Sequence, residues 1–234
     1  MILLLPITET VAESSELDEI YQFEIWAEKN GINLVGVNKN TKELYYSGYD
    51  SKTDNVNWRE IPRVLIAANA LYKIPPEIIQ VMDGKTIYFS TEKGRSYTVL
   101  DSFPEQNILV GLDKGIILEQ NINPHTVIHE IGHVVDYHGI QGIYNDKRNI
   151  FQDKLEDRMK IFNVTENQKI NSDNSLIGFV SQYATTNDAE NFAENFVYYI
   201  HYPVQFREKI QTDNLLIEEY EFLRDEIFSG YEFN

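Results

Sequence analysis

The residue types and spacing best suited to chemistry lie near the middle of the chain, in the run Asn123-Pro124-His125-Thr126-Val127-Ile128-His129-Glu130-Ile131-Gly132-His133-Val134-Val135-Asp136. On a helix, His129 and His133 stand one turn apart on the same face, with Glu130 beside them. Two neutral imidazoles, a third protein ligand and a water complete a tetrahedral zinc site, and a neighbouring carboxylate can take the proton from that water. The expected cofactor is one Zn2+ ion, and the expected chemistry is hydrolysis with Glu130 as general base.

The helix that must carry these groups has its own signals. Asn123 is a good N-cap, and Pro124 falls at the first helical position, where a missing N–H costs nothing. Val127, Ile128, Ile131, Val134 and Val135 recur at helical spacing. Gly132 lowers helix stability by about 1 kcal/mol relative to Ala, but it lets another chain segment approach between the two histidines.

A third ligand has to come from elsewhere. Six residues after His133 the chain has Gly139, with His138 one position early, which argues against a three-histidine site. Downstream, Asn187-Asp188-Ala189-Glu190-Asn191-Phe192-Ala193-Glu194 offers two glutamates on an expected helix over 187–202. Counting 100° per residue from an apolar face of Ala189, Phe192, Ala193, Phe196 and Ile200, Glu190 lies roughly 90° from its centre and Glu194 roughly 130°. Glu190 is then the ligand nearer the buried side, and Glu194 is placed to accept a hydrogen bond from the outer nitrogen of a ligating histidine. His125, one turn before His129, could form an alternative pair but would leave Glu130 without a task. His201 lies eleven residues beyond Glu190, roughly 16 Å along the helix and too far for the same ion. Asp136 could support His133 from one turn away or simply face solvent.

The segments His129-Glu130-Ile131-Gly132-His133-Val134-Val135-Asp136-Tyr137 and Tyr183-Ala184-Thr185-Thr186-Asn187-Asp188-Ala189-Glu190-Asn191-Phe192-Ala193-Glu194-Asn195-Phe196 together resemble the catalytic domain of anthrax lethal factor. They are also similar to the Pro-Pro endopeptidases of Gram-positive bacteria. The resemblance spans about residues 60–234, is specific only in the two motifs, and implies a zincin-like metallopeptidase of the glutamate-ligand class. It implies Glu190 as third zinc ligand, Glu194 as support for a ligand histidine and Tyr183 as oxyanion donor. It also implies a peptide or protein substrate laid along the edge of a sheet made by residues 86–119.

Composition sets the outer bounds. At 234 residues the chain can bury one substantial core, so a single domain is expected. A net charge of −17 argues against nucleic acid or an anionic membrane as partner, and favours a solvated acidic surface or a basic substrate. The absence of cysteine excludes thiolate ligands and thiol catalysis. Met1–Ile7 lacks a basic start and is too short in apolar run for a signal peptide or a span. The expectation is a secreted protein in mature form, with a cytoplasmic one as the alternative, monomeric and not inserted in a membrane. A catalytically inactive, zinc-stabilised toxin or binding module is the alternative to a peptidase.

Element signals give an α+β layout, a sheet-bearing lobe over 1–123 and a helical lobe over 124–234 with the histidine helix at the junction. Helices are expected at 15–30 with Ser15 as N-cap, 58–72, 75–82, 146–162, 187–202, from Pro203, and 214–228. Strands are expected at Asn33–Val37, Glu43–Tyr46, Thr86–Ser90, Ser96–Asp101, Asn107–Leu112 and Ile116–Glu119. Polar connections are expected over 50–57 and 163–175.

Overall fold

The computed structural model describes residues 8–99, 112–136, 160–164 and 176–234. Its first element, helix α1 (Thr8–Lys29), buries Ile20, Phe23 and Ala27 on one face. The helix starts before the expected cap, so Ser15 is interior to it; no glycine or proline interrupts the chain from Thr8 to Lys29. Gly31, in the left-handed region at φ 67°, turns the chain into strand β1 (Asn33–Val37).

Residues 43–46 form no strand. They lie in helix α2 (Thr41–Ser47), because Asn40 and Glu43 make a reciprocal capping box. The Glu43 N–H donates to Asn40 Oδ1 at 2.9 Å and the Asn40 N–H to Glu43 Oε2 at 3.0 Å. A two-residue strand, β2 (Asn55–Val56), occupies the expected polar connection and pairs antiparallel with β1. The helix expected over 58–72 is broken. Trp58–Glu60 is a 3-10 turn, Pro62 follows it, and α3 (Val64–Leu71) restarts after Arg63 at φ 72°.

Helix α4 (Pro76–Ile79) leads to β3 (Thr86–Ser90), β4 (Tyr97–Val99) and β5 (Gly115–Leu118). Among the described residues, the five strands form one mixed sheet in the order β2-β1-β3-β5-β4, with parallel pairs in the middle and antiparallel pairs at both ends of that order. Alternation along the strands divides its two faces. Ile87, Phe89, Ile116 and Leu118 join the main core with α1 and α3, while Tyr88 and Ile117 join Val37 and Leu44 of α2 in a smaller cluster.

Helix α5 (Pro124–Val134) follows the sheet and continues into a π-turn at 135–136. The C-terminal portion is helical as expected, with α6 (Asp188–His201), α7 (Pro203–Ile210) and α8 (Leu215–Phe222). Phe196 and Tyr199 of α6 stack on Phe228, and the Tyr199 hydroxyl donates to Tyr231 O at 2.7 Å, so this tyrosine belongs to the core. The fold is mixed α and β, and no described helix is long and apolar enough to cross a membrane. The expected strand over 107–112, the helix over 146–162, the loop over 163–175 and His138 fall wholly or largely outside the described residues.

Candidate metal centre

Helix α5 is built as its sequence signals require. Asn123 Oδ1 accepts the Thr126 N–H at 3.0 Å, Pro124 occupies the first turn, and Val127, Ile128, Ile131 and Val134 are buried. Helix α6 is capped in the same way, with Asn187 Oδ1 accepting the Glu190 N–H at 3.0 Å. The two helices pack at Gly132, where an added Cβ would stand 3.1 Å from Ala193 Cα. That close approach is what brings a glutamate of α6 to the histidines of α5.

Three donor atoms converge there. Glu190 Oε2 lies 3.0 Å from His129 Nε2 and 3.2 Å from His133 Nε2, and the two ring nitrogens are 3.1 Å apart. A tetrahedral zinc ion with bonds of about 2.0 to 2.1 Å holds its ligand atoms about 3.3 Å from one another. Glu190 Oε2 is also buried without a hydrogen-bond partner of good geometry. A buried carboxylate oxygen aimed at two imidazole nitrogens and otherwise unsatisfied fits a metal ligand. Burial works to raise the Glu190 carboxyl, but the two imidazoles outweigh it and hold the group at about 2 in the metal-free chain.

A second group overlaps the first: His125, His129 and Glu194 also bring donor atoms within 4.8 Å of one another. Here the carboxylate meets the other ring nitrogen of His129. Glu194 Oε1 lies 2.8 Å from His129 Nδ1 and 2.9 Å from His125 Nε2, and Oε2 accepts the Ser181 hydroxyl at 2.5 Å. Burial opposes ionisation of Glu194, yet His125, His129 and Ser181 together hold its carboxyl below the usual range. An ionised carboxylate can only accept, so His129 Nδ1 carries a proton toward Glu194, which leaves Nε2 as the ring atom that faces Glu190 and His133.

Glu194 is 2% exposed, whereas the Glu190 side chain is half-buried. This reverses the burial order expected from the helical wheel, because α6 is not one-sided: Asn191 and Asn195, on its polar arc, are fully buried too. Asn191 Nδ2 donates to Glu219 Oε1 at 2.8 Å, so a polar face is covered by α8 instead of by water.

Glu130 is 6% exposed and accepts the Thr98 hydroxyl at Oε2 at 2.6 Å. Burial pushes its carboxyl up, against the charges of His133 and His129 and the Thr98 hydrogen bond. Tyr183 rides on a 3-10 turn (Tyr183–Thr185), its ring centroid 5.6 Å from that of His129 and its hydroxyl donating to Glu190 Oε1 at 3.2 Å. Burial and the Glu190 charge raise its phenol, while Arg95 acts the other way. A cleft of about 270 Å³ adjoins these groups, lined by Gly94–Ser96, His125, His129, Glu130, Tyr183 and Glu194.

His129, Glu130, His133, Tyr183, Glu190 and Glu194 therefore share one site. Asp136 is half-buried in the π-turn beyond it, and His133 takes its polar contacts from Glu190 and His129. Sequence reasoning assigned no supporting role to His125, Ser181 or Thr98. His125 carried a signal in its one-turn spacing from His129, while Ser181 and Thr98 carried none, since hydroxyls are common in such loops and strands. The chain matches no protein-family model and no curated protein with which it was compared.

Proposed function

We propose that the chain is a zinc-dependent endopeptidase with a zincin-like fold, similar to the glutamate-ligand peptidases that its two motifs resemble. The convergence of His129 Nε2, His133 Nε2 and Glu190 Oε2 within 3.0 to 3.2 Å, beside the buried Glu130 carboxyl, carries this reading. Those three atoms would hold the ion. When bound, zinc supplies Lewis acidity, lowering the pKa of a water to about 7 and drawing off negative charge.

The protein's own groups supply the rest. Glu130 takes a proton from the attacking water and returns it to the departing amine nitrogen, a role that a carboxyl raised by burial performs well near neutral pH. The Tyr183 hydroxyl, at the cleft wall, donates to the oxygen on which negative charge develops. Glu194 keeps the His129 proton on Nδ1. The cleft admits an extended peptide alongside β4, the edge strand nearest Glu130.

The test compares wild type with Glu130→Gln, measuring zinc content and cleavage of a proteome-derived peptide library by mass spectrometry. Stoichiometric zinc in both, with cleavage by wild type alone, is the expected result. Zinc without cleavage by either protein would favour the inactive binding module instead.

A further inference from the structure

Resting on the peptidase reading, we propose that Arg95 is the specificity residue of the cleft and selects peptides bearing a carboxylate near the scissile bond. The carboxylate comes from an Asp or Glu side chain or from the peptide C-terminus.

The cleft's own acids are already engaged. Glu130 is bonded to Thr98, and Glu194 to His125, His129 and Ser181. Each is thus held by partners within the protein. Arg95, which also lines the cleft, is exposed, and its guanidinium makes no hydrogen bond or ion pair with the described residues. In a chain of 37 acidic and 20 basic residues, a cation in the cleft lining, close enough to Tyr183 to act on its phenol, runs against the overall charge and contributes an attractive field to an anionic group entering there.

Its backbone is held in place from beneath. Glu119, 1% exposed at the end of β5, accepts the Thr41 N–H at Oε1 at 2.7 Å. The Thr41 hydroxyl lies 2.7 Å from that same oxygen and 3.0 Å from Arg95 O, so one proton is shared between the two acceptors. Ser96 Oγ accepts the Glu119 N–H at 3.3 Å. Gly94 lies so close that a Cβ there would stand 2.8 Å from the Glu119 carboxyl and would have to displace it from Thr41. The loop thus joins the start of α2 to the end of β5, and an anchored arginine loses less entropy on pairing with a ligand than one on a free loop.

The test uses the full chain loaded with zinc and peptide libraries carrying fixed Glu, Gln or Lys, each as C-terminal acid and amide. Binding is measured on Glu130→Gln with and without Arg95→Glu, and hydrolysis on wild type and Arg95→Glu. Glu peptides are expected to exceed Gln peptides about fivefold in binding and, through KM, in kcat/KM. Arg95→Glu should abolish that preference and Arg95→Lys retain part of it. A preference that follows the terminal acid instead of the internal Glu identifies the C-terminus as the source. Equal binding of Glu and Gln peptides and of acids and amides, or an unchanged preference in Arg95→Glu, overturns the assignment. Carboxylate-dependent binding that requires Arg95, without hydrolysis by wild type, upholds Arg95 and removes the peptidase reading.

Discussion

His125 Nε2 stands 2.9 Å from Glu194 Oε1, the oxygen that His129 Nδ1 approaches at 2.8 Å, so one buried carboxylate oxygen serves two histidines a turn apart. This separates the duties of the two glutamates on α6. On the proposed reading, Glu190→Ala removes a metal ligand and should leave no stoichiometric zinc. Glu194→Ala, on the same reading, removes a support to His129 and should weaken zinc binding about 10- to 100-fold. His125→Gln should weaken it less, because His129 and Ser181 still hold the carboxylate. Chelator competition followed by metal analysis ranks the three. If zinc instead requires His125 and tolerates His133→Ala, the ion sits at the other cluster.

Ser181 links that support to the tyrosine. Its hydroxyl donates to Glu194 Oε2 at 2.5 Å and accepts the Ala184 N–H at 3.1 Å, registering the Tyr183 turn against α6. If Tyr183 acts as proposed, when charge develops, Ser181→Ala should lower kcat about tenfold with little change in KM. Ser181→Thr should restore much of the loss. Equal changes in kcat and zinc affinity across both variants would mean that Ser181 acts only through the metal.

Gly132→Ala sets two effects against each other. Alanine favours the helix by about 1 kcal/mol. Its Cβ would meet Ala193 Cα at 3.1 Å, a backbone atom that cannot rotate aside. Overpacking of this kind costs about 1 to 3 kcal/mol, so the net effect should be destabilising. It should also shift Glu190 away from the histidines. A melting temperature lower by about 2 to 6 °C, with weaker zinc retention, is expected. An unchanged or higher value would show that α5 and α6 can part at no cost.

Without metal, the site should make stability depend on pH. Burial acts to lower His129, but Glu190 and Glu194 raise it to about 9 from an ordinary 6.5. A raised group stabilises fully below its unfolded value and ceases to do so as pH climbs through about 9. Glu190, held at about 2 from an ordinary 4.5, stabilises above 4.5 and loses that contribution as pH falls toward 2. Metal-free stability should therefore be greatest between about pH 4.5 and 6.5. Zinc needs the Nε2 lone pair of His129, so binding near pH 7 should release a proton. Titration calorimetry in buffers of different ionisation heat measures that release, and a value near zero contradicts the charged His129.

Much of this site was legible in the residues, for physical reasons that also explain the failures. Helix α5 announced itself because Asn123, Pro124 and the spacing of Val127, Ile128 and Ile131 all agree. Helix α2 misled because Tyr45 and Tyr46 favour strands locally, and the reciprocal Asn40–Glu43 cap tips the outcome to helix. The wheel misplaced the burial of Glu194 because it assumed water on the polar side of α6, where Asn191 instead meets Glu219 of α8. Long-range partners such as Thr98 for Glu130 leave no trace in local spacing. They exist because β4 pairs with β5, bringing residue 98 to a helix more than thirty residues on.

That last contact supplies the most direct test of the base. The Thr98 hydroxyl lies 2.6 Å from Glu130 Oε2 and 3.1 Å from Glu130 O, and its hydrogen bond works against the burial that raises the Glu130 carboxyl. Thr98→Val keeps the shape of the side chain and removes the donor. The carboxyl should then rise further, moving the acid limb of the kcat/KM profile to higher pH. Activity near neutral pH should fall about tenfold, the reach of one charge-assisted hydrogen bond. Zinc content should stay the same, and Thr98→Ser should keep the wild-type profile. Because Thr98 lies on the edge strand beside the cleft, the same variant should also respond to substrate length if the peptide extends along β4. An acid limb that does not move at all would take the general-base role away from Glu130.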